Sequence, residues 1–215
     1  IMKITDGLFL DCFYEVAKDY PELKADDIIV DDLCMKLVTK PDSFDVVVLT
    51  TLPGDIVSDL CAGLVGGLGF APSANVGDHI SIFEAVHGTA PDIAGKNIAN
   101  PTALLLSGVS MLRHLGLTEN AAVIENALLY TLESGVHTGD FGDKSIPAVN
   151  TTHFADAIIS NLGKQPSAGA RPIIPNKPGT PTPFKLQQNA MMESVEAINE
   201  NIVGVDLFIE SNEQP

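Results

Sequence analysis

The run Asp45–Thr50, Asp-Val-Val-Val-Leu-Thr, constrains the fold more than any other feature of the chain. Its β-branched residues follow one another without a charge, which is typical of a strand buried on both faces of a sheet. Pro53–Gly54 then turns the chain into a helix predicted over residues 55–65. A shorter strand predicted at residues 28–30 and a helix at residues 31–40 precede it in the same order. Strands that alternate with helices predict an α/β fold.

The other predicted elements follow from apolar periodicity and from the residues that end it. Residues 81–86 are predicted to form a strand, whereas Gly66–Gly77 is expected to be irregular because of its glycines. Thr152 is expected to cap the last helix of the series. Helices are predicted over residues 5–20, 101–115, 118–134 and 152–162, and glycines 116, 135 and 163 follow the last three.

The composition changes after residue 163. Six prolines between residues 166 and 183 indicate a stiff, extended segment. An amphipathic helix with Met191, Val195, Ile198 and Ile202, and a strand over residues 203–209, are predicted beyond it. The chain also opens at Ile1 directly in a helix-like pattern, so we expect a fragment whose N-terminal portion is absent.

Charge and cysteine content exclude several classes of protein. The formal net charge is −16 and the pI is about 4.4, which is the wrong sign for binding nucleic acid or an anionic membrane. No membrane span or signal peptide is visible in the sequence. Three cysteines do not make a disulfide framework, so we expect a reducing compartment, the cytoplasm.

An acidic pair is the first candidate for chemistry. Asp55 and Asp59 lie four residues apart on one face of a predicted helix, and Asp55 stands at its predicted start. Carboxylate oxygens of this kind suit a hard divalent ion such as Mg²⁺. The alternative is one capping aspartate and one solvated aspartate.

A loop dense in small and functional side chains is the second candidate. His87, Gly88, Thr89, Ala90 and Asp92 follow one another closely, and the small residues leave the backbone open to a flat or phosphorylated ligand. The segment carries no G-x-G-x-x-G pattern. An ordinary turn-rich connector is the alternative.

The segment His87–Gly95, His-Gly-Thr-Ala-Pro-Asp-Ile-Ala-Gly, resembles the β-decarboxylating dehydrogenases, which act on isocitrate or 3-isopropylmalate. Three further blocks agree and occur in the right order: Met2–Gly7, Gly54–Asp59, and Gly66–Pro72 with Ala74–Gly77. The resemblance covers residues 1–163. It implies an isopropylmalate-dehydrogenase-like fold and, on the details of Glu84–Ile93, an NAD-dependent isocitrate dehydrogenase.

The resemblance also implies a reaction and its residues. Isocitrate would be oxidised by hydride transfer to NAD and would then lose CO₂, with Mg²⁺ or Mn²⁺ stabilising the negative charge that develops on oxygen. Metal ligands would be Asp55 and Asp59, together with Asp31 supplied from the neighbouring subunit of a homodimer. The implied cofactor-binding residues are Glu84, His87, Gly88, Thr89, Ala90, Asp92, Ile93 and Asn100.

The same resemblance divides the chain and shows what it lacks. The catalytic lysine, tyrosine and substrate-binding arginines of the family would lie upstream of Ile1, so we expect this chain alone to be inactive. A 3-isopropylmalate dehydrogenase and a non-catalytic regulatory subunit remain alternatives. The implied segments are part of a small dimerisation domain (1–65), the C-terminal half of a large cofactor-binding domain (66–163), a proline-rich linker (164–184) and the start of a small α+β extension (185–215).

Asp92 and Ile93 favour NAD over NADP. In NADP-dependent relatives these positions commonly carry Lys and Tyr, which hold the 2′-phosphate. An aspartate would instead accept hydrogen bonds from the free ribose hydroxyls and repel a phosphate. Two unit charges about 4 Å apart at an effective dielectric of about 20 interact by roughly 4 kcal/mol, so even a screened value gives about a hundredfold preference.

Overall fold

The structure, a computed structural model, describes residues 2–176. Most of the regular structure is helical. Along the chain, one two-stranded sheet follows the third helix and precedes the fourth. Short 3₁₀ turns at Pro41–Ser43 and Leu68–Phe70 precede α3 and β1. The elements are α1 (Thr5–Ala17), α2 (Val30–Thr39), α3 (Thr51–Leu64), β1 (Pro72–Val76), β2 (Ser81–Ala85), α4 (Thr102–His114), α5 (Thr118–Glu133) and α6 (Thr151–Ser160).

The main core is built by α4, α5 and α6. Ala127, Leu128, Phe154 and Ile158 are buried together, and Phe141 from the loop after α5 packs its ring edge-on against Phe154. Glycines in the left-handed backbone conformation follow α4 and α5, as the sequence predicts: Gly116 has φ +79° and Gly135 has φ +80°. One apolar face of each helix therefore packs within the described chain, whereas Leu104 and Ile159 are exposed.

The β1–β2 hairpin packs on α4. Its strands are antiparallel, with Pro72 opposite Ala85 and Val76 opposite Ser81. Ser107 of α4 fixes this packing, because its fully buried hydroxyl donates to the carbonyl of Glu84 at 2.6 Å and accepts from the backbone N–H of Ser73 at 3.3 Å. The strand prediction at residues 81–86 is confirmed, whereas the expectation of an irregular 66–77 segment is wrong because β1 lies within it.

A smaller cluster joins α2 and α3. Leu33 and Leu37 of α2 pack against Val57 of α3. The helix predicted at residues 31–40 is thus confirmed. The helix predicted at residues 5–20 is also present as α1, although none of its residues is buried.

The two strands predicted before these helices do not form. Val30 is already the first residue of α2, and residues 46–50 carry no strand assignment. A strand is stable only when a neighbouring strand satisfies its backbone groups, and the described residues place none beside this segment. Val46 and Val48 are consequently 82% and 54% exposed.

Two helix starts differ from the sequence-based expectation. Helix α3 begins at Thr51, so Pro53 lies in its first turn, where a missing N–H costs nothing. Helix α6 is capped by Asn150, whose side chain accepts from the backbone N–H of His153 at 2.8 Å, and not by Thr152. Asn is among the best capping residues, which explains why it takes this position.

The beginning of the proline-rich segment runs along α5. The backbone of Ser167 donates to Glu133 at 2.8 Å, and that of Arg171 donates to Asn126 at 2.6 Å. Asn176 accepts from the backbone of Glu119 near the other end of the helix at 3.0 Å. The predicted helix at 191–202 and strand at 203–209 lie outside the described residues.

Candidate metal and cofactor sites

The acidic pair of α3 projects from the exposed side of that helix. Asp55 and Asp59 are both exposed, whereas Val57 between them faces the opposite side and is only 5% exposed. This separation follows from helical geometry, since residues four apart share a face and a residue two positions away lies across the axis. Within the described residues neither carboxylate is hydrogen-bonded or paired with a cation.

The start of α3 removes the capping alternative for Asp55. Helix α3 begins four residues earlier, so Asp55 lies in its second turn and the residue at the cap position is Thr50. A side chain in the second turn cannot accept from the first free N–H groups. The expectation that Asp55 stands at the helix start is therefore wrong, and both aspartates are free to bind a ligand.

Asp31 is exposed on the first turn of α2. Its Oδ1 accepts from the backbone N–H of Asp32 at 2.9 Å, while Asp32 itself pairs with Lys36 at 2.7 Å. Among residues 2–176 no three His, Cys, Asp or Glu side chains lie close enough to share a metal ion. The donor chemistry of Asp55 and Asp59 fits Mg²⁺ or Mn²⁺, but the described chain supplies only part of a coordination shell.

The candidate cofactor loop, residues 86–100, is exposed until its last residue. Ala90 has φ +43°, a left-handed conformation that is uncommon for alanine. Its carbonyl accepts from the backbone of Ile93 at 3.0 Å and of Ala94 at 3.1 Å, so the chain makes a tight turn there. His87, Gly88 and Thr89 lie on the exposed approach to this turn.

Asp92 lies within the turn but does not stabilise it. Its exposed carboxylate makes no hydrogen bond or ion pair with any other described residue, whereas the turn is closed by backbone bonds alone. The carboxylate is thus available to a ligand in solution. Ile93 beside it is 36% exposed. Glu84, on strand β2, is exposed too, and its Oε1 accepts from Asn75 of β1 at 2.9 Å.

Asn100 differs from the other predicted cofactor residues because its side chain is used within the protein. It is only 7% exposed. Its Oδ1 accepts from the backbone N–H of Thr102 at 3.0 Å, which helps to begin α4, and its Nδ2 donates to Asp140 at 3.1 Å. The side chain therefore holds the end of the loop in place.

Sequence reasoning marks the loop that follows α5, residues 136–143, only as a stretch without a Tyr and Arg pair for a 2′-phosphate, and it does not predict the contacts made there. His137 is 5% exposed, and its two ring nitrogens lie 2.9 Å from the carbonyl of Thr138 and 3.2 Å from that of Asp143. One backbone and one side-chain hydrogen bond from Ser145 lower the pKa of Asp143, and the nearby His137 lowers it further. The sequence signal that could have drawn attention to this loop is its density of glycine, histidine and aspartate.

Comparison with known proteins identifies the family. The sequence model described as isocitrate/isopropylmalate dehydrogenase matches residues 1–158.

The chain belongs to the isocitrate/isopropylmalate dehydrogenase family.

Individual members of the family are closely similar. An isocitrate dehydrogenase [NADP] of Thermus thermophilus is 48% identical over 217 residues, which is 100% of this chain and 42% of the relative. The catalytic subunit 5 of a mitochondrial isocitrate dehydrogenase [NAD] of Arabidopsis thaliana is 56% identical over 164 residues, 75% of this chain and 43% of the relative. The chain thus spans less than half the length of these curated relatives.

The fold of the family is confirmed by a solved structure. The crystal structure of isocitrate dehydrogenase from Methylococcus capsulatus matches with a TM-score of 0.71 and 47% sequence identity, over 75% of this chain and 47% of that one. The α/β, isopropylmalate-dehydrogenase-like expectation is therefore correct at the level of the fold. Within residues 2–176, no helix has both the length and the apolar composition that crossing a bilayer requires.

Proposed function

We propose that the protein represented by this chain catalyses the metal-dependent oxidative decarboxylation of isocitrate to 2-oxoglutarate with NAD. The proposal rests on one observation: Asp55 and Asp59 lie on one face of α3, are exposed, and have no partner among the described residues. Family membership supplies the reaction class: oxidation of a 2-hydroxy acid by a nicotinamide cofactor with a divalent metal.

Asp55 and Asp59 would hold Mg²⁺ or Mn²⁺ together with Asp31 from a neighbouring subunit. The ion supplies electrostatic stabilisation of the oxygen that becomes negative during decarboxylation. Repulsion between the two carboxylates one turn apart is relieved when a cation lies between them. The family resemblance assigns Asp31 to a neighbouring subunit, which makes the proposed enzyme a homodimer in which each subunit completes the other's site.

The choice of NAD rests on Asp92. Similar proteins include both NAD-dependent and NADP-dependent enzymes, so overall identity does not decide the cofactor. An exposed carboxylate without an internal partner can accept from the two ribose hydroxyls of NAD, and it would repel the 2′-phosphate of NADP. Ile93 provides no hydrogen-bond donor that could offset this repulsion.

Isocitrate is favoured over 3-isopropylmalate by two positions of the loop region. Ala85 and Thr89 are the residues that resemble isocitrate enzymes, whereas isopropylmalate enzymes more often carry Pro and Ser there. Retention of all three aspartates favours a catalytic chain over a regulatory subunit. A cytoplasmic location stays a prediction from the cysteine content, and several of the similar proteins are mitochondrial.

The test is an assay of the full-length protein with isocitrate and 3-isopropylmalate, each with NAD and NADP, in the presence of Mn²⁺. We expect kcat/KM to be highest for isocitrate with NAD, by about a hundredfold over NADP. Replacing Asp92→Lys together with Ile93→Tyr should remove that preference. A matched control is Asp78→Lys, which makes the same charge change at an exposed position between β1 and β2.

Four results would contradict the proposal in different ways. Higher kcat/KM for 3-isopropylmalate would overturn the substrate, and a wild-type preference for NADP would overturn the role of Asp92. Absence of turnover with every combination would favour a regulatory subunit. If Asp78→Lys changed the ratio of kcat/KM for NAD to that for NADP as much as the double variant does, the net charge of the protein, and not Asp92, would set the cofactor preference.

A further inference from the structure

Three segments that are distant in the sequence meet at Asp140. Its Oδ2 accepts from Asn100 at the end of the cofactor loop at 3.1 Å. Its Oδ1 accepts from the hydroxyl of Thr138 at 2.5 Å. The third segment is the 3₁₀ turn before β1, whose Gly69 packs against both Asp140 and Asn100. We call Gly69, Asn100, Thr138 and Asp140 the Asp140 junction.

The junction is tightly packed. A Cβ atom added to Gly69 would lie 2.9 Å from the Oδ2 of Asp140 and 3.1 Å from the Nδ2 of Asn100. Separations this short force the neighbouring atoms to move, and here those atoms make the hydrogen bond itself. Thr138 is fully buried and Asn100 nearly so, so the partners of Asp140 are held in fixed positions.

The junction is the last of several anchors at one end of the cofactor loop. Asn97 accepts from Thr152 of α6 through its side chain at 2.9 Å and from the backbone of Thr151 through its carbonyl at 3.0 Å. The carbonyl of Ala99 accepts from the hydroxyl of Thr151. The segment that would face the cofactor, His87–Asp92, is exposed, so its position depends on these anchors and on β2 at the other end.

The carboxylate of Asp140 is exposed, but both of its oxygens are engaged within the protein. Each of its carboxylate oxygens already accepts a hydrogen bond from within the protein. We therefore expect its effect on cofactor binding to pass through Asn100 and the loop that ends there.

We propose that Asp140 is a positioning residue for the dinucleotide cofactor: by holding Asn100 it fixes the end of the loop whose exposed part binds the cofactor. The proposal rests on the function proposed above for the 86–100 loop. It also gives Asn100 a role other than direct contact through its side chain, because that side chain is bonded to Thr102 and Asp140.

The first test is Asp140→Asn in the full-length enzyme. An asparagine that still accepts from Thr138 must turn its NH₂ group towards the NH₂ group of Asn100, which places two donors face to face. We expect the Kd for NADH, or for NADPH if that is the cofactor used, to rise about tenfold. The KM for isocitrate and kcat should change by less than about twofold, because the substrate and the metal bind elsewhere.

A rescue variant separates positioning from a loss of structure. Combining Asn100→Asp with Asp140→Asn exchanges donor and acceptor: the new aspartate still accepts from Thr102, and the new asparagine donates to it. The Kd should return to within about twofold of the wild type. Asp156→Asn is the matched control, since Asp156 is exposed and its carboxylate has no partner among the described residues.

Dinucleotide binding by fluorescence needs no turnover, so the outcomes are distinguishable. Wild-type binding with an unchanged Kd in Asp140→Asn would overturn this proposal alone. Failure of the exchanged pair to restore binding, or an equal loss of affinity in Asp156→Asn, would overturn it as well. A wild type that binds neither NADH nor NADPH would overturn the proposed function and this proposal together.

Discussion

The carboxylate region, residues 28–65, and the cofactor-loop region, residues 66–163, differ in how much of their apolar surface is covered. In the carboxylate region Val46 is 82% exposed, and only four buried hydrophobic residues lie there, Leu33, Leu37, Val57 and Ala62. In the cofactor-loop region a continuous cluster around Phe154 joins three helices and the loop after α5. An element becomes ordered by its partners, and among the described residues the larger of the two buried clusters lies in the second region.

The difference has a functional counterpart. Asp55 and Asp59, the proposed metal ligands, lie in a region where, among the described residues, no third His, Cys, Asp or Glu side chain joins them and Val46 and Val48 are exposed. The cofactor loop, in contrast, is anchored at its end by bonds to α6 and to Asp140. We therefore expect substitutions in the carboxylate region to act on metal binding, and substitutions in the cofactor-loop region to act on stability and cofactor affinity.

The largest expected effect is on the metal. Asp55→Asn in the full-length enzyme removes one charged oxygen ligand, so kcat/KM for isocitrate should fall about a thousandfold, or roughly 4 kcal/mol. Titration of activity with Mn²⁺ should show a large rise in the concentration needed for half-maximal rate. Asp42→Asn, an exposed aspartate in the same region, is the control and should change neither quantity. Unchanged Mn²⁺ dependence in Asp55→Asn would contradict the assignment.

A stability comparison of the two regions comes next. Phe154 is fully buried, so Phe154→Ala should lower the free energy of unfolding of this chain by about 3 kcal/mol. Val46→Ala should change it by less than about 0.5 kcal/mol, because Val46 is largely in solvent. Urea denaturation of the two variants and the parent measures both values. Equal losses would show that the carboxylate region is covered in solution and that the comparison is wrong.

The sequence predicts the elements of the cofactor-loop region better than those of the carboxylate region. The periodicity and glycine stops of α4 and α5 predict those helices closely, because their packing partners lie nearby in the chain. The strand at 45–50 is predicted from its β-branched residues but needs a neighbouring strand that a local pattern cannot supply.

Among the site residues, Asp55 and Asp59 could be placed on one face from their spacing. The Asp140 junction could not, because it joins segments that are 40 residues apart and has no periodic signal. Such long-range side-chain bonds depend on the folded backbone, so they become visible only in the structure.

Helix capping gives a smaller contrast. Asn150 makes a side-chain bond to the start of α6, so Asn150→Ala should cost about 1 kcal/mol of stability. Thr50 stands at the same position of α3 without such a bond, so Thr50→Ala should cost only a few tenths. Thermal unfolding of this chain, followed by circular dichroism, compares them directly. A larger loss for Thr50→Ala would contradict the cap assignments.

The smallest expected effect depends on pH. Bonds from the side chain and the backbone of Ser167 lower the pKa of Glu133 at the end of α5. Because the folded pKa is below the unfolded one, the associated stabilisation is present above the unfolded pKa, near 4.3, and is lost as the pH falls through the folded value. Ser167→Ala should move the pKa of Glu133 upwards in an NMR titration. An unchanged titration would show that the segment after α6 does not hold this carboxylate.

The central claim is that Asp55 and Asp59 of one subunit complete a metal site with Asp31 of another. Co-expressing Asp31→Asn and Asp55→Asn subunits with different tags, and purifying the mixed dimers, tests it directly. Each variant alone should be nearly inactive. A mixed dimer would contain one intact site and one doubly defective site, so it should recover about half of the wild-type activity per dimer. Mixed dimers as inactive as the two parents would contradict the claim.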